Sequence, residues 1–161
     1  MRALLLAVGW MTAGAVLAAE PAVPAERTLC QAGETVVFSC SLGAKLVSLC
    51  SAGNAPKRLS YRFGAPGRVE LAHPDPGAAG AFEWSSGPLY GGGITTVSFK
   101  RGPYEYSVYA RIGRAAGGGE PEFEDGLVIA RDGKRIQTKV CDDGGAGFRE
   151  SIEWLPKKPG N

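Results

Sequence analysis

Four cysteines constrain the fold of this chain more than any other feature, because three lie close together and the fourth lies far from them. Cys30, Cys40 and Cys50 follow one another at intervals of ten positions, whereas Cys141 lies near the carboxyl end of the 161-residue chain. An even number of cysteines in an exported protein is typical of disulfides. If two disulfides form, Cys141 closes a loop of 91 to 111 positions with one of the other three. The last predicted strand is then tied to the first predicted hairpin.

The residues around the first three cysteines predict a hairpin. The register of this hairpin limits which cysteines can form a disulfide with each other. If its turn is 42–44, Cys40 faces Leu46 and Cys50 faces Val36 across the two strands. A bond between Cys40 and Cys50 needs a different register, so this pairing is disfavoured, and the other two connectivities stay open. Zinc is a weaker interpretation of the cysteines, because the chain has no Cys-x-x-Cys pair and only one histidine.

The amino terminus has the three parts of a secretory signal peptide. Met1-Arg2 is basic, the following residues up to position 19 are uncharged and mostly apolar, and Ala18-Ala19 supplies the small residues of a cleavage site. The apolar run is shorter than the about 20 residues that span a bilayer as a helix. We therefore predict a signal peptide over 1–19, a flexible leader over 20–27, a single β domain over 28–155 and a flexible tail over 156–161.

The charge of the mature chain is close to neutral. Cleavage after Ala19 removes Arg2 and leaves 142 residues, with 17 basic and 16 acidic side chains and a net charge near +1. Such a chain has no strong field to attract nucleic acid. It is also long enough to bury a core without help from a metal. We expect a monomer with no cofactor, no nucleic-acid partner and no membrane span after signal removal.

The rest of the chain consists of short alternating segments separated by turn residues, which include many of its 24 glycines and 11 prolines. Asp132-Gly133, between two β-branched runs, is a strong signal for a two-residue hairpin turn. Because strands do not alternate with helices, the predicted fold class is all-β, an antiparallel meander of about eight strands that forms a small disulfide-stapled barrel or sandwich. Phe82 and Trp84 are expected to dock on the core from its far end, and 148–155 to form one or two helical turns. The predicted strands cover 35–40, 45–50, 59–63, 68–71, 94–100, 104–112, 126–130 and 134–140.

No set of residues meets the requirements of a common catalytic site. His73 is the only histidine, it lies at the start of a Pro-rich segment, and no Gly-x-Ser-x-Gly occurs. The run 91–93 is glycine-rich but lacks the spacing of a phosphate-binding loop. A glycan hydrolase with paired carboxylates is the remaining catalytic hypothesis, although solvated turns are the ordinary explanation for these acids. Its candidates are Glu120, Glu122, Glu124, Asp125, Asp142 and Asp143.

Basic residues concentrate around the second predicted hairpin. Its outward face is therefore a candidate binding surface, with aromatic anchors from the neighbouring region. The simpler alternative is the solvated face of a half-buried sheet. The candidate surface consists of Lys57, Arg58, Arg62 and Arg68, with Trp84 and Tyr90 as the anchors.

Several phrases of the sequence carry a resemblance to known families. They are Phe38-Ser39-Cys40, Val47-Ser48-Leu49-Cys50, Tyr61-Arg62-Phe63-Gly64, Glu70-Leu71, 91–93 and Tyr104-Glu105-Tyr106-Ser107-Val108-Tyr109. Together they resemble a family of small uncharacterised exported proteobacterial proteins, and the likeness covers most of the mature chain. It implies a periplasmic setting in a Gram-negative bacterium. The first phrase is also similar to a strand of the periplasmic inhibitors of c-type lysozyme, which are small disulfide-bonded β-barrels; their Ser- and Lys-bearing loop has no match here.

These observations favour a periplasmic or secreted, non-catalytic module that binds a protein or an envelope component. The first alternative is a protein that acts like a lysozyme inhibitor, and the second is a cell-wall glycan hydrolase that uses carboxylates in turns.

Overall fold

The computed structural model describes residues 27–115, 117–144 and 146–159, so the predicted signal peptide and most of the predicted leader lie outside the described residues. Consecutive strands pair antiparallel in two sheets, a first sheet of β1 to β4 and a second sheet of β5 to β9. The all-β antiparallel fold is confirmed, and the two sheets make it a sandwich. The strands are β1 (Thr35–Leu42), β2 (Lys45–Ala52), β3 (Arg58–Ala65), β4 (Arg68–His73), β5 (Phe82–Leu89), β6 (Gly92–Arg101), β7 (Tyr104–Gly113), β8 (Glu122–Arg131) and β9 (Lys134–Val140).

The core lies between the two sheets, where the apolar side chains of alternate residues meet. Tyr61 on β3 is fully buried, and its ring centroid lies 4.8 Å from that of Phe99 on β6. Leu49 on β2 and Val97 on β6 are also buried. Because side chains alternate between the two faces of a strand, one face of each sheet faces the core, and on β1 and β2 the residues of the other face are buried as well.

β5 is a strand that the sequence prediction missed. Its central residues, Ser85, Ser86, Gly87 and Pro88, are poor strand formers. They form a strand nevertheless, because β5 pairs with β6 along its whole length, from Phe82 opposite Phe99 to the last residue.

The predicted helical turns at 148–155 are wrong, since this segment contains no helix. Its backbone instead bonds to the first sheet, where Arg149 N donates to Val37 O at 2.9 Å. Ile152 and Leu155 are buried in the core, and Leu155 N donates to Ile152 O at 3.0 Å in a single turn. In the part of the chain that the structure describes, no helix is long and apolar enough to cross a membrane.

The segment 156–158, within the predicted tail, forms a short parallel bridge with β5. Trp84 N donates to Pro156 O at 2.9 Å, and Lys158 N donates to Trp84 O at 2.7 Å. The Lys158 ammonium also pairs with Glu105 on β7. These contacts place the end of the chain along the edge of the second sheet.

The disulfides are Cys30–Cys50 and Cys40–Cys141, one of the two connectivities that the sequence left open. The predicted register was wrong at Cys40, which faces Val47, because the turn contains two residues rather than three. It was right at Cys50, which faces Val36, because a bulge between Val36 and Phe38, near the start of β1, offsets the difference.

Candidate functional site

A cleft of about 600 Å³ opens between the two sheets, lined by the β1–β2 turn, β3 and β4 of the first sheet and by β7, β8 and β9 of the second. We call it the inter-sheet cleft. Strands of both sheets supply its walls, which are mainly apolar. The apolar lining consists of Leu42, Phe63, Leu71, Tyr106, Leu127 and Ile129.

The cleft remains open because β9 turns polar side chains toward the interior. In the register of the second sheet, Gln137 lies opposite Ile129 and Lys139 lies opposite Leu127. Directly paired residues share a face, so Gln137 and Lys139 are on the inward face and line the cleft. An inward charge on an edge strand opposes tight closure of the sheets, because burying it would remove it from water.

Tyr61 is the fully buried tyrosine among the residues that line the cleft. Tyr61 is fully buried and lines the cleft, and its Oη atom has no hydrogen-bond partner among the described residues. Burial, with a smaller contribution from Tyr106, raises the pKa of Tyr61 far above its ordinary value. The hydroxyl is therefore protonated at neutral pH and can donate or accept a hydrogen bond.

Charged groups from the first sheet form the opposite rim. Lys45 Nζ lies 2.6 Å from Glu70 Oε2 and 5.2 Å from the centroid of the Phe63 ring. The hydrogen bond and charge of Lys45, together with Arg68, hold the pKa of Glu70 below its usual value. The Lys45 ammonium is thus already engaged, whereas Lys139 on the other rim has no ion-pair partner among the described residues.

Arg62, a member of the predicted basic surface, is part of a structural ion pair. Its two terminal nitrogens lie 2.6 and 2.8 Å from the carboxylate oxygens of Glu34, and each side chain is only 12% exposed. Burial by itself would raise the pKa of Glu34, but the bonds from Arg62 and from Gln31 N outweigh it and lower the pKa. This pair fixes the segment before β1 on the outer face of the first sheet, beside the Cys30–Cys50 disulfide.

The other predicted surface residues are distributed over both sheets. Arg58 begins β3 and is exposed, and Lys57 beside it lies 5.9 Å from the Trp154 ring. Arg68 is at the far end of the same hairpin, 3.3 Å from Glu70. Of the two aromatic anchors, Trp84 on β5 is half-buried, and Lys157 Nζ lies 5.4 Å from the centroid of its ring. Tyr90 is 69% exposed in the turn after β5. The described structure therefore does not bring these six residues together on one face.

The predicted acidic candidates lie at several different places, although Asp143 is close enough to Asp125 to affect its pKa. Glu124 accepts a hydrogen bond from Tyr109 Oη at 2.8 Å, whereas the adjacent Asp125 is buried on the opposite face of β8 and accepts from Gly147 N at 2.6 Å. Burial and, less strongly, Asp143 raise the pKa of Asp125. Asp142 accepts a hydrogen bond from Gly43 N and Asp143 accepts one from Ser41 N, so the segment after β9 is docked on the first hairpin. Glu120 lies before β8 and Glu122 begins it, and both are exposed.

His73 is packed against two aromatic rings. Its centroid lies 4.2 Å from that of Phe99 in a stacked arrangement, and Phe82 meets it edge-on at 5.1 Å. Burial lowers the pKa of His73, Arg101 lowers it further, and Asp75 opposes both. The geometry indicates a core aromatic rather than a proton-transfer group.

The fold and the cleft define the protein as a two-sheet antiparallel β-sandwich with two disulfides and an open inter-sheet cleft. Comparisons of the chain with protein-family models, with curated proteins and with solved structures find no match. Its function must therefore be inferred from its own residues.

Sequence reasoning did not identify the cleft. The signal that could have found it is the pattern of β9, where Gln137 and Lys139 occupy the positions that face Ile129 and Leu127. An apolar strand paired with a strand whose inward positions are polar predicts an incompletely closed sheet edge.

Proposed function

We propose that the protein is a non-catalytic binding module whose inter-sheet cleft takes a small molecule with a largely apolar body. One observation carries this proposal: Tyr61 is one of the residues that line the cleft, and its buried hydroxyl has no hydrogen-bond partner among the described residues. A buried polar group without a partner costs about 1–3 kcal/mol. A ligand that presents a polar atom to this hydroxyl would recover that free energy.

The size and lining of the cleft support a ligand of this kind. Ligand sites usually measure about 300–1,000 Å³, with mostly apolar walls and a few polar groups that set orientation. The inter-sheet cleft, at about 600 Å³, has apolar side chains from both sheets and a few polar groups, which include Tyr61, Gln137 and Lys139. The acyl chain of an envelope component, with a carbonyl or hydroxyl within reach of Tyr61, has the required chemistry.

We place this activity in the periplasm, or outside the cell. The basic, apolar and small-residue order of 1–19 supports export. The two disulfides support an oxidising compartment, because cytosolic thiols are kept reduced. A Gram-negative envelope would supply acyl chains to a protein located there.

The alternative functions draw less support from the geometry. A glycan hydrolase needs two carboxylates that flank one bond, whereas Glu124 and Asp125 lie on opposite faces of β8. A protein like the lysozyme inhibitors needs a protruding loop that fits an enzyme cleft. The candidate site of this molecule is instead a concave cleft between its two sheets.

The experiment is a titration of the mature protein with N-phenyl-1-naphthylamine, an uncharged apolar probe that fluoresces when it leaves water. The decisive variant is Leu71→Trp, which fills the cleft from β4. We expect it to weaken probe binding at least tenfold, about 1.4 kcal/mol. Ile129→Trp, which fills the cleft from the opposite sheet, should have the same effect.

Val69→Trp is the matched control, because Val69 is on the same strand as Leu71, is 46% exposed and does not line the cleft. This variant should bind the probe like the wild type. The proposal is wrong if the wild type does not bind the probe, or if both cleft-filling variants fold and bind it as well as Val69→Trp does.

A further inference from the structure

Lys139 is the charged side chain of the cleft that the fold does not itself use. It is half-buried on the inward face of β9 and has no ion-pair partner among the described residues. Lysine is seldom turned inward without a partner, because desolvating its ammonium is costly. A negative charge arriving in the cleft mouth would offset that cost.

The surrounding charges favour an anion at this position. Lys45 and Lys139 carry positive charge at the rim, and Glu70 carries the one negative charge among the cleft-lining residues. Glu70 is paired with Lys45 at 2.6 Å, and Arg68 lies 3.3 Å from its other oxygen. The rim is therefore net positive, and Lys139 is the cation left for a ligand.

We infer that the ligand of the inter-sheet cleft is an anionic single-chain amphiphile, with its chain between the sheets and its carboxylate or phosphate bound by the Lys139 ammonium. This inference rests on the proposed function, because it assigns the head group of the molecule whose apolar body enters the cleft. Ammonium–anion hydrogen bonds are stronger than neutral ones. The head group should therefore contribute affinity as well as orientation.

The experiment compares ligands that differ only in the head group. Decanoate, decyl phosphate, decanol and decylamine each displace N-phenyl-1-naphthylamine from the mature protein, at concentrations below micelle formation. We expect the two anions to displace the probe at concentrations at least tenfold lower than those of decanol and decylamine. Decanoate and decyl phosphate together separate a carboxylate from a phosphate ligand.

The variants assign the preference to one side chain. Lys139→Gln should reduce the preference for anions to less than about threefold while decanol still binds, and Lys139→Arg should retain it. Lys134→Gln is the matched control, since Lys134 is an exposed cation at the other end of β9 that does not line the cleft. It should leave the preference unchanged.

The two proposals fail in different ways. Equal displacement by all four head groups, or an anion preference that survives Lys139→Gln, would overturn the head-group inference while the cleft still binds chains. In that case Lys139 only keeps the edge strand from pairing with other chains, as inward charges do elsewhere. Loss of probe binding in the wild type would instead overturn the proposed function.

Discussion

Cys40 on β1 is bonded to Cys141, which directly follows β9 and lies 101 positions away, and both cysteines are buried. The bond joins the first strand of the first sheet to the end of the last strand of the second sheet. Beside it, Asp142 N donates to Ser41 O at 3.0 Å, so the same connection also covers the outer edge of β1. One covalent bond and its neighbouring backbone contacts thus hold the two sheets together.

The two disulfides should differ in their contribution to stability. In the chain-entropy model, a loop of about 100 residues contributes about 4.7 kcal/mol and one of about 15 residues contributes about 3 kcal/mol. The observed separations are 101 and 20 positions. Urea unfolding of the Cys40→Ala/Cys141→Ala and Cys30→Ala/Cys50→Ala double variants should show a larger loss for the first. An equal or larger loss for the second would contradict this account.

Tyr61→Phe should change stability and binding in opposite directions. It removes a buried hydroxyl that has no hydrogen-bond partner among the described residues, so the ligand-free protein should gain about 1 kcal/mol of unfolding free energy. Its affinity for an amphiphile with a polar atom in reach should fall. Urea unfolding and probe displacement measure the two effects. A variant that loses both stability and affinity would show that the hydroxyl is already satisfied.

Glu34→Gln should destabilise the protein at neutral pH and have little effect in acid. The pKa of Glu34 is lower in the folded than in the unfolded state, so its contribution is complete above the unfolded value of 4.5 and is lost as the pH falls through the folded value. Hydrogen bonds to a charged group contribute about 1.5–3 kcal/mol, which is the loss expected at pH 7. Unfolding free energies from pH 7 to pH 3 test this.

Glu150→Gln is the control for that series, because Glu150 is exposed. Its free energy of unfolding should follow that of the wild type at every pH. If the difference between the wild type and Glu34→Gln were the same at pH 3 and pH 7, the ion pair with Arg62 would not be its cause.

Gly126→Ala should destabilise the second sheet. Tyr109 lies over this glycine on the outer face, and an added Cβ would sit 2.7 Å from its hydroxyl oxygen and closer still to Lys139 O. Such overpacking costs about 1–3 kcal/mol. At Gly87 on β5 the nearest atom to an added Cβ is 4.0 Å away, so Gly87→Ala should change stability by less than about 0.5 kcal/mol. Thermal unfolding of the two variants compares them; equal losses would contradict the steric explanation.

The Tyr109 ring, which lies over Gly126, is held in place by a hydrogen bond from its hydroxyl. Burial and the Glu124 carboxylate raise the pKa of Tyr109 to about 12, so the hydroxyl remains a donor at neutral pH. The bond from Tyr109 to Glu124 and the ion pair of Glu124 with Arg111 hold this ring over Gly126. The ring is therefore unable to move aside at low cost when a methyl group is added.

Local sequence signals predicted the hairpins well and the irregular parts poorly. Asp132-Gly133 forms the predicted two-residue turn, with positive φ at both residues, because side-chain and backbone preferences act within four residues. β5 was missed because its pairing with β6 outweighs the weak preference of its own residues for a strand. The segment predicted to be helical contains no helix, because its backbone bonds to β1 and its apolar side chains are buried in the core.

The sequence by itself determined the all-β class, the succession of hairpins and the presence of four cysteines that have to pair, because alternation and turn residues act over short distances. Only the tertiary structure decided which cysteines pair and that Arg62 forms an ion pair with Glu34. It also decided that, among the described residues, the Tyr61 hydroxyl has no hydrogen-bond partner and Lys139 has no ion-pair partner. The physical reason is distance along the chain. These relationships depend on how two separately formed sheets face each other, and no local preference specifies that arrangement.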